Sequence, residues 1–212
     1  MSNSSRQQWA LGAAVMLAAL GVGQEVYAQA IVGRVGFPVG GSGEGEYRTD
    51  GSSNDVDADD GSGVSVEALI LKRVGRGSRL GALVQYTNNR EFEPEDGGEL
   101  RTGSSLALDG VLEFDLTRTS GVTLHAAVLG GLMIYFPDDD LEALQEQAND
   151  EGAKFGFNGG GGLGLMVPLS GQLALRGDLY AMYEQATLVD GEQFEYTLSN
   201  TRFMLAVGFM VE

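Results

Sequence analysis

Three groups of residues in this 212-residue chain could do chemistry. The first is the run Asp55-Val-Asp-Ala-Asp-Asp-Gly61. Its Asp55, Asp57 and Asp59 repeat the alternate-residue spacing with which a loop offers carboxylates to Ca²⁺. The match is imperfect: Asp60 is inserted before the glycine, Glu67 falls one position late for the bidentate ligand, and no helices flank the run. The expectation is therefore no specific metal site, only looser bridging by divalent cations. The second group is His125, the single histidine. A catalytic base needs a nucleophile within reach, and its neighbours in the chain are Leu124 and Ala126-Ala127. No catalytic constellation is read there, and no cofactor is implied. The third group is a set of charges, each set between apolar residues: Arg34, Glu67, Arg79, Asp109, Glu113, Asp115, Arg176, Asp178 and Arg202.

The alternation around these charges is the signature of β-strands, in which successive side chains point to opposite faces. The hairpin 155–184 is the plainest case. Phe155, Phe157, Gly159, Gly161, Leu163, Leu165 and Val167 share one face of its first strand, and a tight turn follows at Pro168-Leu-Ser-Gly-Gln172. Leu173, Leu175, Gly177, Leu179, Ala181 and Tyr183 share a face of the second, with Arg176, Asp178, Tyr180 and Met182 opposite. The same pattern predicts strands over 31–39, 64–74, 78–87, 104–117, 122–136 and 194–211, eight in all. Each is about as long as the roughly 10 residues a tilted strand needs to cross a bilayer.

The connections alternate in length. The stretches 40–63, 88–103, 137–154 and 186–193 read as long polar loops, rich in acids from Glu44 to Glu192. The three tight turns hold no acid, and two carry Arg76 and Arg118. Within 137–154, Asp138 to Asp140 can cap a short helix with Leu141, Leu144 and Ala148 on one side. Long loops at one end and short turns at the other are the habit of up-and-down barrels of the bacterial outer membrane. The N-terminus agrees. Arg6, an apolar run from Trp9 to Val22 and the small-residue pattern Ala28-Gln29-Ala30 have the layout of a signal peptide. The organisation expected is a signal peptide over 1–30, cut after Ala30 with Ala28 as second choice, and a barrel over 31–212.

Composition narrows the classes further. A net charge of -17 excludes a nucleic-acid binder, and the absence of Cys excludes disulfides and thiolate metal sites. A soluble ligand-binding barrel would alternate too, with its apolar face inward. Against that, the second face of strands 122–136 and 155–167 carries no Lys, Glu or Asp, which a water-facing surface would show. Phe37, Tyr86, Phe136, Phe155, Tyr183 and Phe209 stand near strand ends, where interfacial girdles form.

Three stretches carry a family resemblance: Ala30-Ile-Val-Gly-Arg-Val-Gly-Phe37, Phe157-Asn-Gly-Gly-Gly-Gly-Leu-Gly-Leu165, and Pro168-Leu-Ser170 with Leu173-Ala-Leu-Arg-Gly-Asp-Leu-Tyr180. They resemble the outer-membrane β-barrel domain family, relatives of the OmpA, OmpX and opacity-protein barrels. The chain departs from the family habit of an aromatic last residue by ending Phe209-Met-Val-Glu212. The resemblance implies an all-β, eight-stranded antiparallel transmembrane barrel. It also implies contact with outer-membrane lipids and lipopolysaccharide, insertion by the outer-membrane assembly machinery, and a monomer. Barrel enzymes of similar architecture, lipid A deacylases and palmitoyltransferases, pair a His with a nearby Ser; His125 lacks that pattern, so no enzyme is expected. The nine charges are then expected to point inward and plug the lumen with ion pairs. The role expected is structural or surface interaction, the alternatives being a narrow channel for small solutes or a soluble periplasmic barrel.

Overall fold

The computed structural model describes residues 30–49, 52–60, 63–94, 100–118, 121–191 and 194–212. Residues 1–29, and with them the expected leader, lie outside it. Nine strand segments form one antiparallel sheet: β1 (Ala30–Thr49), β2 (Ser52–Asp60), β3 (Val64–Arg73), β4 (Ser78–Pro94), β5 (Leu100–Arg118), β6 (Thr123–Phe136), β7 (Lys154–Ser170), β8 (Leu173–Asp190) and β9 (Phe194–Val211). β1 pairs with β9 from Ile31 opposite Val211 to Thr49 opposite Phe194, so the sheet closes on itself. β2 and β3 are two lengths of one wall strand. Both keep a single register against β1, with Asp59 opposite Ser42 and Ser65 opposite Gly36, and a single register against β4. The architecture is an eight-stranded up-and-down barrel. Ala30, the final residue of the expected leader, is buried and pairs with Leu71.

Three of the four expected long loops are corrected. The stretches 40–63, 88–103 and 186–193 are mostly wall: β1 and β2 pair from Ser42 to Thr49, β4 runs on to Pro94, and β8 to Asp190. Backbone ladders need no apolar side chains, and where the wall has water outside, its outward positions are polar. Apolar alternation fades there while hydrogen bonding continues. The length alternation of the connections is lost with those loops, although the strand extensions still lie at one end of the barrel. Asp55, Asp57 and Asp59 fall on β2, opposite Glu46, Glu44 and Ser42. The backbone that carries them is an extended strand.

The expected helix is present. α1 (Asp139–Ala148) starts where the Asp138 carboxylate accepts from the backbone N–H groups of Asp140 and Leu141, and it ends at Asn149, whose φ of 55° is left-handed. Leu141 is buried in the upper cluster with Met133, Tyr135, Leu188, Tyr196 and Leu198. The Gln145 amide donates to the Leu188 carbonyl at 2.9 Å.

The apolar face is the outer one. Leu80, Leu108, Phe114, Val128, Leu132, Leu163, Leu179, Phe203 and Phe209 are exposed, and Phe155 reaches 72% exposure. A soluble barrel would bury these side chains, whereas lipid solvates them. Phe157 and Tyr183, with ring centroids 6.3 Å apart, lie in the upper part of this band, with Phe155 above them. Beyond them the outward positions of β8 and β9 are Gln185, Thr187, Glu195, Thr197 and Ser199, and the Thr187 and Thr197 hydroxyls bond at 3.0 Å. Inside, an apolar layer of Val32, Leu69, Leu71, Leu83, Met166 and Met210 fills the turn end. The inward charges lie beside this layer, with Arg79, Glu113 and Asp115 at the turn end, and continue above it toward the upper cluster.

Candidate functional site in the barrel lumen

Register brings the inward charges together. Arg34 on β1 lies directly opposite Glu67 on β3, and Arg79 on β4 directly opposite Glu113 on β5. Neighbouring strands are less than 5 Å apart, so such pairs meet side by side on the lumen face. Other partners lie two strands apart, with a glycine on the strand between. Asp178 and His125 flank Gly164 in one cross-strand row. A Cβ there would come within 2.3 Å of Asp178 Oδ1 and 2.4 Å of His125 Nε2, so only glycine leaves the gap across which they bond.

Two carboxylates of the central layer, Glu67 and Asp178, each have a full set of donors. Glu67 accepts from Arg34 Nε, from the Tyr180 hydroxyl, from Ser65 Oγ at 2.8 Å and from Gln85 Nε2 at 2.8 Å. Asp178 accepts from Arg34 Nη1 at 2.7 Å, from Arg176 Nε at 2.7 Å and Nη2 at 3.0 Å, and from His125 Nε2 at 2.8 Å. Four donors fill the roughly four lone-pair sites of a carboxylate. Arg176 also bonds Glu113. Arg79 reaches Glu113 at 3.4 Å and Asp115 at 3.3 Å. The Arg34 guanidinium lies 5.3 Å from the centre of the Tyr180 ring, a cation–π distance. Arg176 is only 1% exposed. The cavity among Arg34, Glu113, Arg176, Asp178 and Tyr180 has a volume of about 10 Å³, room for one water at most.

One step toward the upper end, Arg202 pairs with Glu184 at 2.8 Å and donates to Gln85 Oε1 at 3.1 Å, which ties this level to Glu67. Asp109 stands apart from these pairs, beside Asn158. Of the nine charges read from the sequence, eight thus join one chain of contacts from Asp115 to Arg202, and Asp109 does not. Sequence reading passed over Ser65, Gln85, Asn158, Tyr180 and Glu184. Ser65, Gln85, Tyr180 and Glu184 share strand parity with inward charges on their own strands, and that parity was the signal available; β7, which carries Asn158, holds none of the nine.

His125 is buried, bonds Asp178 through Nε2, and has no hydrogen bond at Nδ1. Among the described residues, no group of three or more His, Asp or Glu side chains converges as a metal site.

No family model and no curated protein sequence matches the chain. Solved structures do. The outer membrane protein OprG of Pseudomonas aeruginosa matches with a TM-score of 0.53 at 12% identity, covering 86% of this chain and 93% of that one. Neisserial surface protein A matches with a TM-score of 0.45 at 11% identity, covering 86% and 97%. The outer membrane protease OmpT of Escherichia coli gives 0.40 at 10% identity, covering 87% and 97%. The likeness to OprG is one of fold. With an apolar exterior and a charged interior, the chain has the fold and the lipid-facing surface of a small bacterial outer-membrane barrel.

Proposed function

We propose that this outer-membrane barrel is a non-enzymatic surface protein: a monomer whose lumen is closed by its own side chains and whose work is done at the upper rim. The observation that carries the reading is the central layer. Glu67 and Asp178 are each surrounded by four donors, and the cavity beside Asp178, Arg34 and Arg176 has a volume of about 10 Å³. A solute path through it would have to break buried, hydrogen-bonded ion pairs, which is costly in a low-dielectric interior. A catalytic role for His125 is disfavoured by its burial and by its bond to a carboxylate already held by two arginines.

The rim offers contact surface instead. A hollow of about 760 Å³ lies between α1 and the β8–β9 end, lined by Leu144, Gln147, Ala148, Asn149, Asp190 and Phe194 with Gly191. Around it Asp139, Asp140, Glu142, Glu146 and Glu151 are exposed, and no Lys or Arg lies in the last turn of α1. Such a surface suits divalent cations shared with lipopolysaccharide phosphates, and insertion would use the outer-membrane assembly machinery. Planar-bilayer recording on the purified barrel tests the plug. The expected trace is flat, and stable unitary current steps would favour a narrow channel instead.

A further inference from the structure

Above the central layer runs a second polar row of different character. Asp109 on β5, Gly131 on β6, Asn158 on β7, Glu184 on β8, Asn200 on β9 and Gly43 on β1 stand directly opposite one another in sequence round the wall. All four side chains are buried, Asp109 to 1% exposure and Asn158 to 5%. The glycine between Asp109 and Asn158 is required. A Cβ on Gly131 would lie 2.7 Å from Asp109 Oδ1 and 2.0 Å from the Leu108 carbonyl, so the carboxylate leans across the bare backbone toward Asn158. Asn200 Oδ1 likewise lies over Gly43, 3.5 Å from where a Cβ would stand.

Neither oxygen of Asp109, and neither polar atom of the Asn158 amide, makes a hydrogen bond of ordinary geometry. A carboxylate offers about four acceptor sites, and one facing amide cannot fill them. Charge is short as well. Asp109 and Glu184 are two carboxylates, and the arginine at this level, Arg202, is already paired with Glu184 and bonded to Gln85. A buried carboxylate in this state takes up either a proton or a counter-ion. The electron-pair donors along the row are oxygens, carboxylate and carboxamide, a set that suits hard cations and not soft ones. One positive charge balances the row, whereas a divalent ion would overshoot it beside the Arg202 guanidinium.

We propose that this row is a binding site for one hard monovalent cation, Na⁺ in the first instance, held between Asp109 and Glu184 with the Asn158 and Asn200 carboxamide oxygens completing its shell. The ion stabilises the folded barrel, because the unfolded chain offers no such cage.

The full-length protein in detergent micelles provides the test. Its thermal midpoint, read from loss of the fast-migrating unboiled gel band, is compared in NaCl and in N-methylglucamine chloride at equal ionic strength and pH. A midpoint higher by about 5 °C in Na⁺ is expected. That difference should vanish in Asp109→Asn and persist in Glu142→Gln, a change confined to the exposed face of α1. Asn158→Asp, which adds a third carboxylate, should make the midpoint respond to Ca²⁺, and this decides the matter if Asp109→Asn fails to fold. Equal midpoints in the two salts would mean that a proton satisfies Asp109, and the proposal would fall. It would fall equally if the Na⁺ response survived Asp109→Asn.

Discussion

The two polar levels of the lumen share strands β5 and β8 and both bury carboxylates, yet they treat those carboxylates in opposite ways. In the central layer three arginines, Arg34, Arg79 and Arg176, face Glu67, Glu113, Asp115 and Asp178, with His125, Gln85, Ser65 and Tyr180 supplying further donors. In the upper row Arg202 serves Glu184, and neither oxygen of Asp109 makes a hydrogen bond of ordinary geometry. Both levels use an inward glycine to let partners meet across an intervening strand, Gly164 below and Gly131 above. What differs is the supply of donors. The two central carboxylates are fully coordinated by protein donors, and Asp109 is not.

Breaking the central layer should have the largest effect. Arg176→Met leaves Glu113 and Asp178 each without a buried partner, and a loss of about 3–5 kcal/mol is expected in equilibrium urea unfolding from micelles. Asp178→Asn comes next. It keeps the shape but puts an NH₂ group or a neutral oxygen where four donors converge, and about 2 kcal/mol should be lost in the same assay. The corresponding change above, Asp109→Asn, sharpens the contrast. In a salt without Na⁺ it should cost less than about 1 kcal/mol, because it removes a charge that lacks its full set of donors. Equal losses for the two Asp→Asn variants would show the levels to be alike and abolish the distinction.

The faces of the wall were legible residue by residue. Leu106, Leu108, Leu112 and Phe114 alternate with Ala107, Asp109, Val111 and Glu113, and the period of two assigns each to its side without knowledge of any partner. Helix α1 was legible because Asp138 caps it and Leu141, Leu144 and Ala148 fall on one side. The upper wall was not. From Ser42 to Asp60 the chain is held by backbone pairing to β1, β2, β4 and β9, and polar outward residues give that pairing no hydrophobic period to announce it. The partners within the lumen were hidden for a different reason. Arg34 and Asp178 are 144 positions apart, and only the closure of β1 on β9 brings them to 2.7 Å. The glycines between partners carry information only once the register is known, since Gly131 and Gly164 look alike in a chain with 33 glycines.

The continuation of β8 and β9 past the Phe157–Tyr183 pair has a consequence for whatever meets this protein from outside. From Tyr183 to Asp190 the strand runs on for roughly 20 Å past that pair after allowing for tilt. A partner that docks on this rim meets a hydrogen-bonded parapet, whose stiffness spares it the entropy of ordering a loose loop.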